Sequence, residues 1–183
     1  LDLASVGNIS LEDAAGIVSS TLAQFNLGAE DASQVVDILA QGANASRADI
    51  AGLAESLKNS GANASLTGVS LKDMVAALGV MSNAGQDGAE NRTKLNSDLV
   101  SLTTNATAKD TLEKLGVSLY DSGAKMKDLD TIIDDLNTSM KGMSQEEQIS
   151  TIKDLGGTYG MTALAALLMK NGTDQMNAAM DKA

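Results

Sequence analysis

Residues 68–88 read Gly-Val-Ser-Leu-Lys-Asp-Met-Val-Ala-Ala-Leu-Gly-Val-Met-Ser-Asn-Ala-Gly-Gln-Asp-Gly, and they carry the signals that begin, fill and end one α-helix. Ser70 is a good N-cap, because its hydroxyl can accept a hydrogen bond from a free backbone N–H of the first turn. Asp73 can reach back in the manner of a capping box, and Gly85 can take the left-handed conformation that closes a helix. Apolar residues recur between these ends at helical spacing: Leu71, Met74, Val75, Leu78 and Met81.

The same start signal, a Ser or Thr followed three residues later by Asp or Glu, recurs along the chain. Each pair precedes an apolar run at helical spacing, which predicts an all-α fold. We expect a compact bundle of about eight to ten short helices. The pairs are Ser10/Asp13, Ser46/Asp49, Ser70/Asp73, Thr107/Asp110 and Ser144/Glu147.

The spacing of apolar and helix-breaking residues predicts where these helices lie. Residues 61–67 are predicted to form a loop. Residues 116–121 alternate like a short strand and Ser122-Gly123 can turn the chain, which predicts a small β-hairpin near residues 116–126. Helices are expected at 11–25, 29–42, 47–60, 89–102, 108–115, 127–141, 145–155 and 158–170, with a last one from Thr173. The helix that follows the Ser70 cap is expected to end at Asn83-Ala84-Gly85.

The sequence also repeats itself at a distance of sixty residues. Matching residues fall at 10–39 and 70–99 without a gap, which indicates two helix pairs of the same design. The alternative is that capped helices of similar length resemble one another. We expect an N-terminal helical half, residues 1–105, that contains the repeat, and a C-terminal helical half, residues 106–183. Because the chain begins Leu-Asp-Leu, we expect one continuous domain cut from a longer polypeptide.

Composition limits the chemistry that this chain can perform. It has 183 residues with 2 Tyr, 1 Phe and no Trp, so a core must be built from Ala, Leu, Val, Ile and Met. Cysteine and histidine are both absent. Disulfides and thiolate metal sites are therefore excluded, as is the commonest general base near neutral pH. We expect no catalytic, cofactor-binding or metal-binding residues.

The charge balance limits the partners. With 24 acidic and 13 basic residues the net charge is -11. This balance argues against binding to nucleic acid, which requires basic side chains to neutralise phosphates. It argues against an anionic membrane surface for the same reason.

Several local patterns resemble functional sites, and each has a simpler structural explanation. A carboxylate cluster at Asp128, Asp130, Asp134 and Asp135 lacks the spacing of a calcium loop, and it is interpreted as the solvated start of a helix. Residues 156–160, Gly-Gly-Thr-Tyr-Gly, resemble a phosphate-binding turn but follow no convincing strand, so an inter-helix turn is favoured. The uncharged run 155–169 is too short to span a bilayer and is interpreted as core.

Seven Asn-x-Ser/Thr sequons are the last such pattern. In a secreted eukaryotic chain they would be glycosylation sites. We interpret most of them as helix breaks, where Asn ends one helix and Ser or Thr caps the next. They begin at Asn8, Asn44, Asn63, Asn91, Asn105, Asn137 and Asn171.

Residues 36–46, Val-Asp-Ile-Leu-Ala-Gln-Gly-Ala-Asn-Ala-Ser, resemble a central motif in the core region of phage tail tape measure proteins. Several weaker blocks follow in the order found in that family, so the resemblance covers nearly the whole chain. The blocks are 53–57, 68–71, 76–78, 83–85 and 115–117, with Gly88, Asp121, Gly123, Leu129, Ile132, Ile133 and Leu136.

This resemblance implies a structural component of a phage tail rather than an enzyme. Tape measure proteins are long chains that occupy the lumen of the growing tail tube, set tail length and leave ahead of the DNA. The resemblance implies a virion protein in the tail-tube lumen, present in the host bacterial cytoplasm during assembly. The partners it implies are tail tube proteins, tail assembly chaperones, distal tail or baseplate proteins and further copies of the chain.

Two other functions are weighed against this one. A membrane-active module could unpack residues 158–180, which are rich in Ala, Leu and Met, and contact the host membrane during DNA injection. A small hydrolase would have only Ser, Asp and Lys for its chemistry, and no lysine has a sequence context that would desolvate it.

Overall fold

The computed structural model describes residues 2–86 and 89–168, and in these ranges the chain is all-α, as the sequence predicted. The termini of most helices lie within a few residues of the predicted ones. The elements are α1 (Asp2–Gly7), α2 (Leu11–Gln24), a 3₁₀ helix (Ala29–Asp31), α3 (Ala32–Ala45), α4 (Ile50–Thr67), α5 (Leu71–Asn83), α6 (Ala89–Thr104), α7 (Ala106–Leu115), α8 (Leu129–Ser139) and α9 (Gln145–Leu168). The short helix α1 was not predicted, and the helix expected from Thr173 lies outside the described residues.

Helix α5 is the central element of the bundle. Ser70 caps it by accepting from the N–H of Asp73 at 3.1 Å, and Gly85 closes it with φ +76°. The expected capping box differs in one detail, because the carboxylate of Asp73 accepts from the Ser70 hydroxyl at 2.8 Å. Leu71 and every residue from 73 to 82 are buried. Helix α5 therefore has no solvated face, which its apolar periodicity alone did not indicate.

Helices α3, α4 and α9 pack against α5, and α6 packs most extensively against α9. One continuous core joins residues from both predicted halves of the chain, including Leu39 of α3, Leu95 of α6 and Leu164 of α9. Burial of apolar side chains at these contacts supplies the main driving force for folding. The division of the chain at residue 105 stays a prediction.

Two glycines bring α3 and α5 close together. A Cβ atom on Gly42 would collide with the Val75 side chain, and one on Gly79 would lie 3.1 Å from the Cβ of Ser46. Because glycine has no side chain, each helix approaches the other more closely than alanine would permit. Gly42 and Ser46 belong to the 36–46 motif, so part of that motif serves the contact between α3 and α5.

The loop predicted at residues 61–67 is wrong, because α4 continues without a break to Thr67. Gly61 does not end the helix; instead it lets α4 pack closely on α2. A Cβ atom there would lie 2.7 Å from Oε1 of Gln24 and 3.0 Å from Cε2 of Phe25. A glycine in a helix can therefore mark a close contact as well as a break.

The predicted caps at Ser10 and Ser144 are confirmed, whereas two other predicted caps are wrong. Helix α4 is capped by Asp49, whose Oδ1 accepts from the N–H of Gly52, while Ser46 donates back to the Gly42 carbonyl at 2.7 Å. Helix α7 begins earlier than the Thr107/Asp110 pair predicted. Oδ1 of Asn105 accepts from the N–H groups of Thr107 and Ala108.

Replacing Asn105 with Ala is expected to lower the free energy of unfolding by about 1 kcal/mol, because two N–H groups of α7 lose their acceptor. Thr107→Ala serves as the matched control and should change it by less than about 0.5 kcal/mol, since Thr107 is exposed. Urea denaturation followed by circular dichroism measures both. Equal losses from the two variants would contradict Asn105 as the cap.

The hairpin predicted near residues 116–126 is present only as a turn with a single antiparallel bridge between Tyr120 and Met126. Within this turn the N–H of Asp121 donates to the backbone carbonyl of Lys125 at 2.9 Å. Oδ1 of Asp121 also accepts from the N–H of Gly123 at 2.8 Å. No strand forms between residues 106 and 168, so this part of the chain remains all-α.

The sixty-residue repeat is seen in the caps of its first helices and in the burial of its last matched pair, Leu39 and Leu99, which are 0% and 1% exposed. Ser10 and Ser70 accept from Asp13 and Asp73 in the same way, at 3.0 and 3.1 Å. Leu11, however, is 61% exposed whereas Leu71 is 5% exposed. The first helices of the two copies therefore begin alike and pack differently, because α2 lies at the surface and α5 at the centre.

Candidate functional site

The most unusual polar group of the described core is the carboxyl group of Asp98. It lies on the inward side of α6 among Leu95, Leu99 and Leu102, and its residue is 1% exposed. Its Oδ2 accepts from the N–H of Leu164 at 2.8 Å, and its Oδ1 has no hydrogen-bond partner. The sixty-residue repeat places the buried Ile38 at the corresponding position of the first copy. Asp98 therefore occupies a place where an apolar residue would be expected.

Asp98 lies where α9 changes direction. The backbone of α9 leaves helical geometry at Gly157, with φ 67° and ψ -163°. Before this break the Leu155 carbonyl accepts from the Ser101 hydroxyl at 2.9 Å, and after it Asp98 accepts from Leu164. Two side chains of α6, one turn apart, thus bind backbone groups on both sides of the break. We call Asp98, Ser101, Leu155, Gly157 and Leu164 the α6–α9 joint.

The two helices expected around residues 156–160 are consistent with this break. Gly156 fits closely in the joint, since a Cβ atom there would lie 2.8 Å from Oδ1 of Asp98 and 3.1 Å from the N of Met161. The glycines in this stretch therefore serve a bend and a close contact between helices.

Burial raises the pKa of Asp98 to about 8, and the hydrogen bond from the Leu164 N–H only partly opposes this change. A carboxyl group withdrawn from water favours its neutral form, because ionisation in a poorly solvated interior is costly. At neutral pH the joint therefore contains a carboxylic acid that is largely protonated.

A second buried carboxyl group, that of Asp73, lies at the start of α5 near the start of α8. Burial raises its pKa, the Ser70 hydroxyl and the Leu129 N–H lower it, and the negative charges of Asp128 and Asp130 raise it further. Its Oδ1 has no hydrogen-bond partner. Asp73 therefore connects the N-termini of two helices in addition to taking part in the cap of one.

A cavity of about 240 Å³ lies between the start of α4 and the end of α5. Leu53, Leu78 and Met81 line it, and two polar atoms that border it, Oγ of Ser82 and Oε1 of Gln86, have no protein partner. Two other polar side chains that border it, those of Asp49 and Ser56, are engaged with helix backbone. Asp49 caps α4, and the Ser56 hydroxyl donates to the Gly52 carbonyl at 2.5 Å.

The acidic cluster of α8 is arranged around the helix start and an ion pair. Oδ1 of Asp130 accepts from the N–H of Thr131, and Asp135 pairs with Lys127 at 2.8 Å. Asp128 and Asp134 are exposed. Among residues 2–86 and 89–168, no group of three or more acidic side chains is arranged to hold a metal ion.

The interpretation of most sequons as helix breaks is wrong. Asn8 follows α1 with φ 48° and Asn105 caps α7, but Asn63 and Asn137 lie inside helices. Asn44 is in the last turn of α3, Asn91 is in α6, and Asn171 lies outside the described residues. An Asn-x-Ser/Thr pattern tells too little about local conformation, because Asn tolerates both helix interiors and caps.

The core interpretation of residues 155–169 is confirmed where the structure describes them. Leu155, Ala163, Leu164, Leu167 and Leu168 are buried in the main core. Residues 169–180, the rest of the segment considered for membrane activity, lie outside the described residues. In the ranges that are described, no helix is both long enough and apolar enough to cross a bilayer.

Comparison with known proteins places the chain in a family. A family model described as phage-related minor tail protein matches residues 1–157, and the chain belongs to that family. Two relatives specify the class further. The chain is 32% identical over 170 residues to the tape measure protein of Pneumococcus phage Dp-1, covering 92% of this chain and 15% of that protein. It is 23% identical over 180 residues to the probable tape measure protein of Escherichia phage P2, covering 97% and 22%.

These similarities confirm the resemblance found in the sequence, and they support a structural role in a phage tail. The chain spans about a fifth or less of the length of these two relatives. No solved structure has significant similarity to it.

The joint itself was not predicted, although the sequence contains a signal for it. Asp98 lies three residues after Leu95 and four before Leu102, so helical spacing places a carboxylate on the apolar side of α6. An acidic residue on such a stripe indicates a buried partner. The identity of that partner, a backbone N–H in α9, could not be read from α6.

Proposed function

We propose that this chain is a non-catalytic structural segment of a tape measure protein, which helps to determine tail length and takes part in tail assembly and genome ejection. The observation that carries the proposal is the 32% identity to a tape measure protein over 170 residues. The side chains of the joint support it, because Asp98 and Ser101 bind helix backbone and so serve to hold two helices in place.

The proposed location is the lumen of the tail tube in the virion, after synthesis in the host bacterial cytoplasm. Proposed partners are tail tube proteins, tail assembly chaperones and distal tail or baseplate proteins. A net charge of -11 supports a role without direct DNA binding, because an acidic surface repels DNA that passes through the tube.

Tail length provides the direct test. Deleting the codons for these 183 residues in frame from the tape measure gene should shorten the tails by about 270 Å, if the segment is extended as helix in the tube at about 1.5 Å per residue. Electron microscopy of purified tails measures this change. The control replaces the segment with an unrelated helical sequence of equal length, which should restore the length. Tails of unchanged length after the deletion would contradict a role of this segment in length determination.

A further inference from the structure

The distal segment of α9, residues 158–168, follows a single point of rotation. Gly157 alone leaves helical geometry within Gln145–Leu168. Glycine adopts left-handed and right-handed conformations with similar ease. A change of backbone angles at this residue would straighten α9 and carry the distal segment away from the α6 of the same chain.

The contacts of the distal segment do not depend on which copy of the chain supplies it. Its buried side chains, Ala163, Leu164 and Leu167, join a core that includes Leu95 and Leu99 of α6. Its backbone is bound through the N–H of Leu164 to Asp98. A second copy offers the same segment with the same shape and the same N–H.

We infer that this chain can form a domain-swapped dimer, in which α9 is straight at Gly157 and its distal segment packs on the α6 of a second copy. Exchange of an identical element is a low-cost route to a dimer, because the contacts of the distal segment outside the bend are regained between the two copies. This inference does not rest on the proposed tail function.

The hydrogen bonds of the joint favour the closed monomer, in which α9 is bent, over the swapped dimer at low protein concentration. Ser101 donates to the Leu155 carbonyl on the near side of the break, and Asp98 accepts from Leu164 on the far side. Both bonds join the same turn of α6 to the bend of α9. The monomer makes them within one chain and loses no translational freedom, so the swapped form requires high protein concentration or a change at the hinge.

Gly157→Ala is the variant that tests the hinge. Alanine disfavours the positive φ of the bent form and favours a continuous helix. We expect the equilibrium between bent and straight α9 to shift roughly tenfold toward the straight form at each hinge. A dimer contains two hinges, so its association constant should rise by roughly a hundredfold. Sedimentation equilibrium on the 183-residue chain measures this constant, and small-angle scattering tests whether the dimer is elongated.

Gly142→Ala is the matched control. Gly142 also has a positive φ, +94°, and a Cβ atom there would meet open space, but it precedes α9 and is not in the joint. The control should lose stability in a similar way and remain monomeric at the same concentrations. Dimers from both variants would overturn the inference, because general destabilisation would then explain association.

A second measurement uses the unchanged chain and does not depend on the folding of a variant. Unfolding it in guanidinium chloride and refolding it at high concentration should trap dimers, which separate only slowly after dilution because the exchanged segments must first detach. Dimers that separate within seconds would indicate a simple surface contact and overturn the inference. A chain that stays monomeric after refolding, together with a monomeric Gly157→Ala variant, would also overturn it.

Discussion

Replacing Asp98 with Asn is expected to stabilise the chain by about 3 kcal/mol more at pH 8 than at pH 5. The pKa of Asp98 is raised from 3.8 to about 8 in the folded chain. The folded state therefore binds more protons than the unfolded state between these values. The stability contributed by this group is fully present below pH 3.8 and is lost as the pH rises toward 8. Asn cannot ionise, and its side-chain oxygen can still accept from the Leu164 N–H.

The measurement is guanidinium denaturation of both chains at pH 5, 6, 7 and 8. Asp110→Asn is the control, since Asp110 is exposed on α7. The difference in unfolding free energy between this control and the unchanged chain should vary little with pH across the range. If the difference in unfolding free energy between Asp98→Asn and the unchanged chain stays constant from pH 5 to pH 8, this would contradict a buried, largely protonated Asp98. Asp73 should add to the fall in stability with rising pH, because its pKa is also raised.

Replacing Gly42 with Ala is expected to lower the free energy of unfolding by about 2 kcal/mol, because the added methyl group would collide with Val75 in a packed core. Val75 is 2% exposed and β-branched, so its side chain has little room to rotate away. The α3–α5 contact would have to widen, and the central helix would lose packing on one side. Thermal and urea denaturation measure the loss.

A double-mutant cycle tests whether this contact is the cause. Val75→Ala alone removes buried methyl groups and is also destabilising, but in the Gly42→Ala background it makes space for the new methyl group. The double variant should therefore be more stable than the sum of the single losses predicts, by about 1 kcal/mol. Gly16→Ala is the control, because a Cβ atom on this glycine of α2 has nothing within 4 Å, and it should stabilise the helix by about 0.5 kcal/mol. Additive effects of Gly42→Ala and Val75→Ala would contradict the proposed collision.

The sequence predicted the helices well where the signals are local. Ser70 and Asp73 lie within one turn of each other, so the cap of α5 depends on few other residues. The predicted helix starts are wrong where two neighbouring residues could each serve as the N-cap. The sequence pattern pairs Asp49 with a cap at Ser46, but Asp49 caps α4 itself. Likewise, Asn105 caps α7 two residues before Thr107, which is the cap that the sequence pattern predicts.

The candidate site could be predicted only in part, because it is formed by residues that lie far apart in the chain. The inward position of Asp98 follows from its spacing to Leu95 and Leu102, which is visible in the sequence. Its partner Leu164 lies 66 residues further on. No local rule connects these two, since the contact arises when α9 folds back onto α6.

The sequence by itself determined the all-α class, the helix that follows the Ser70 cap and the family, because caps, helical periodicity and ordered motif blocks are properties of neighbouring residues. The tertiary structure decided what each glycine does. Gly61 was expected to start a loop and instead allows α4 to approach Phe25, whereas Gly157 does bend its helix. A missing side chain permits both a turn and a close contact, and which of them occurs depends on the helix that packs against it.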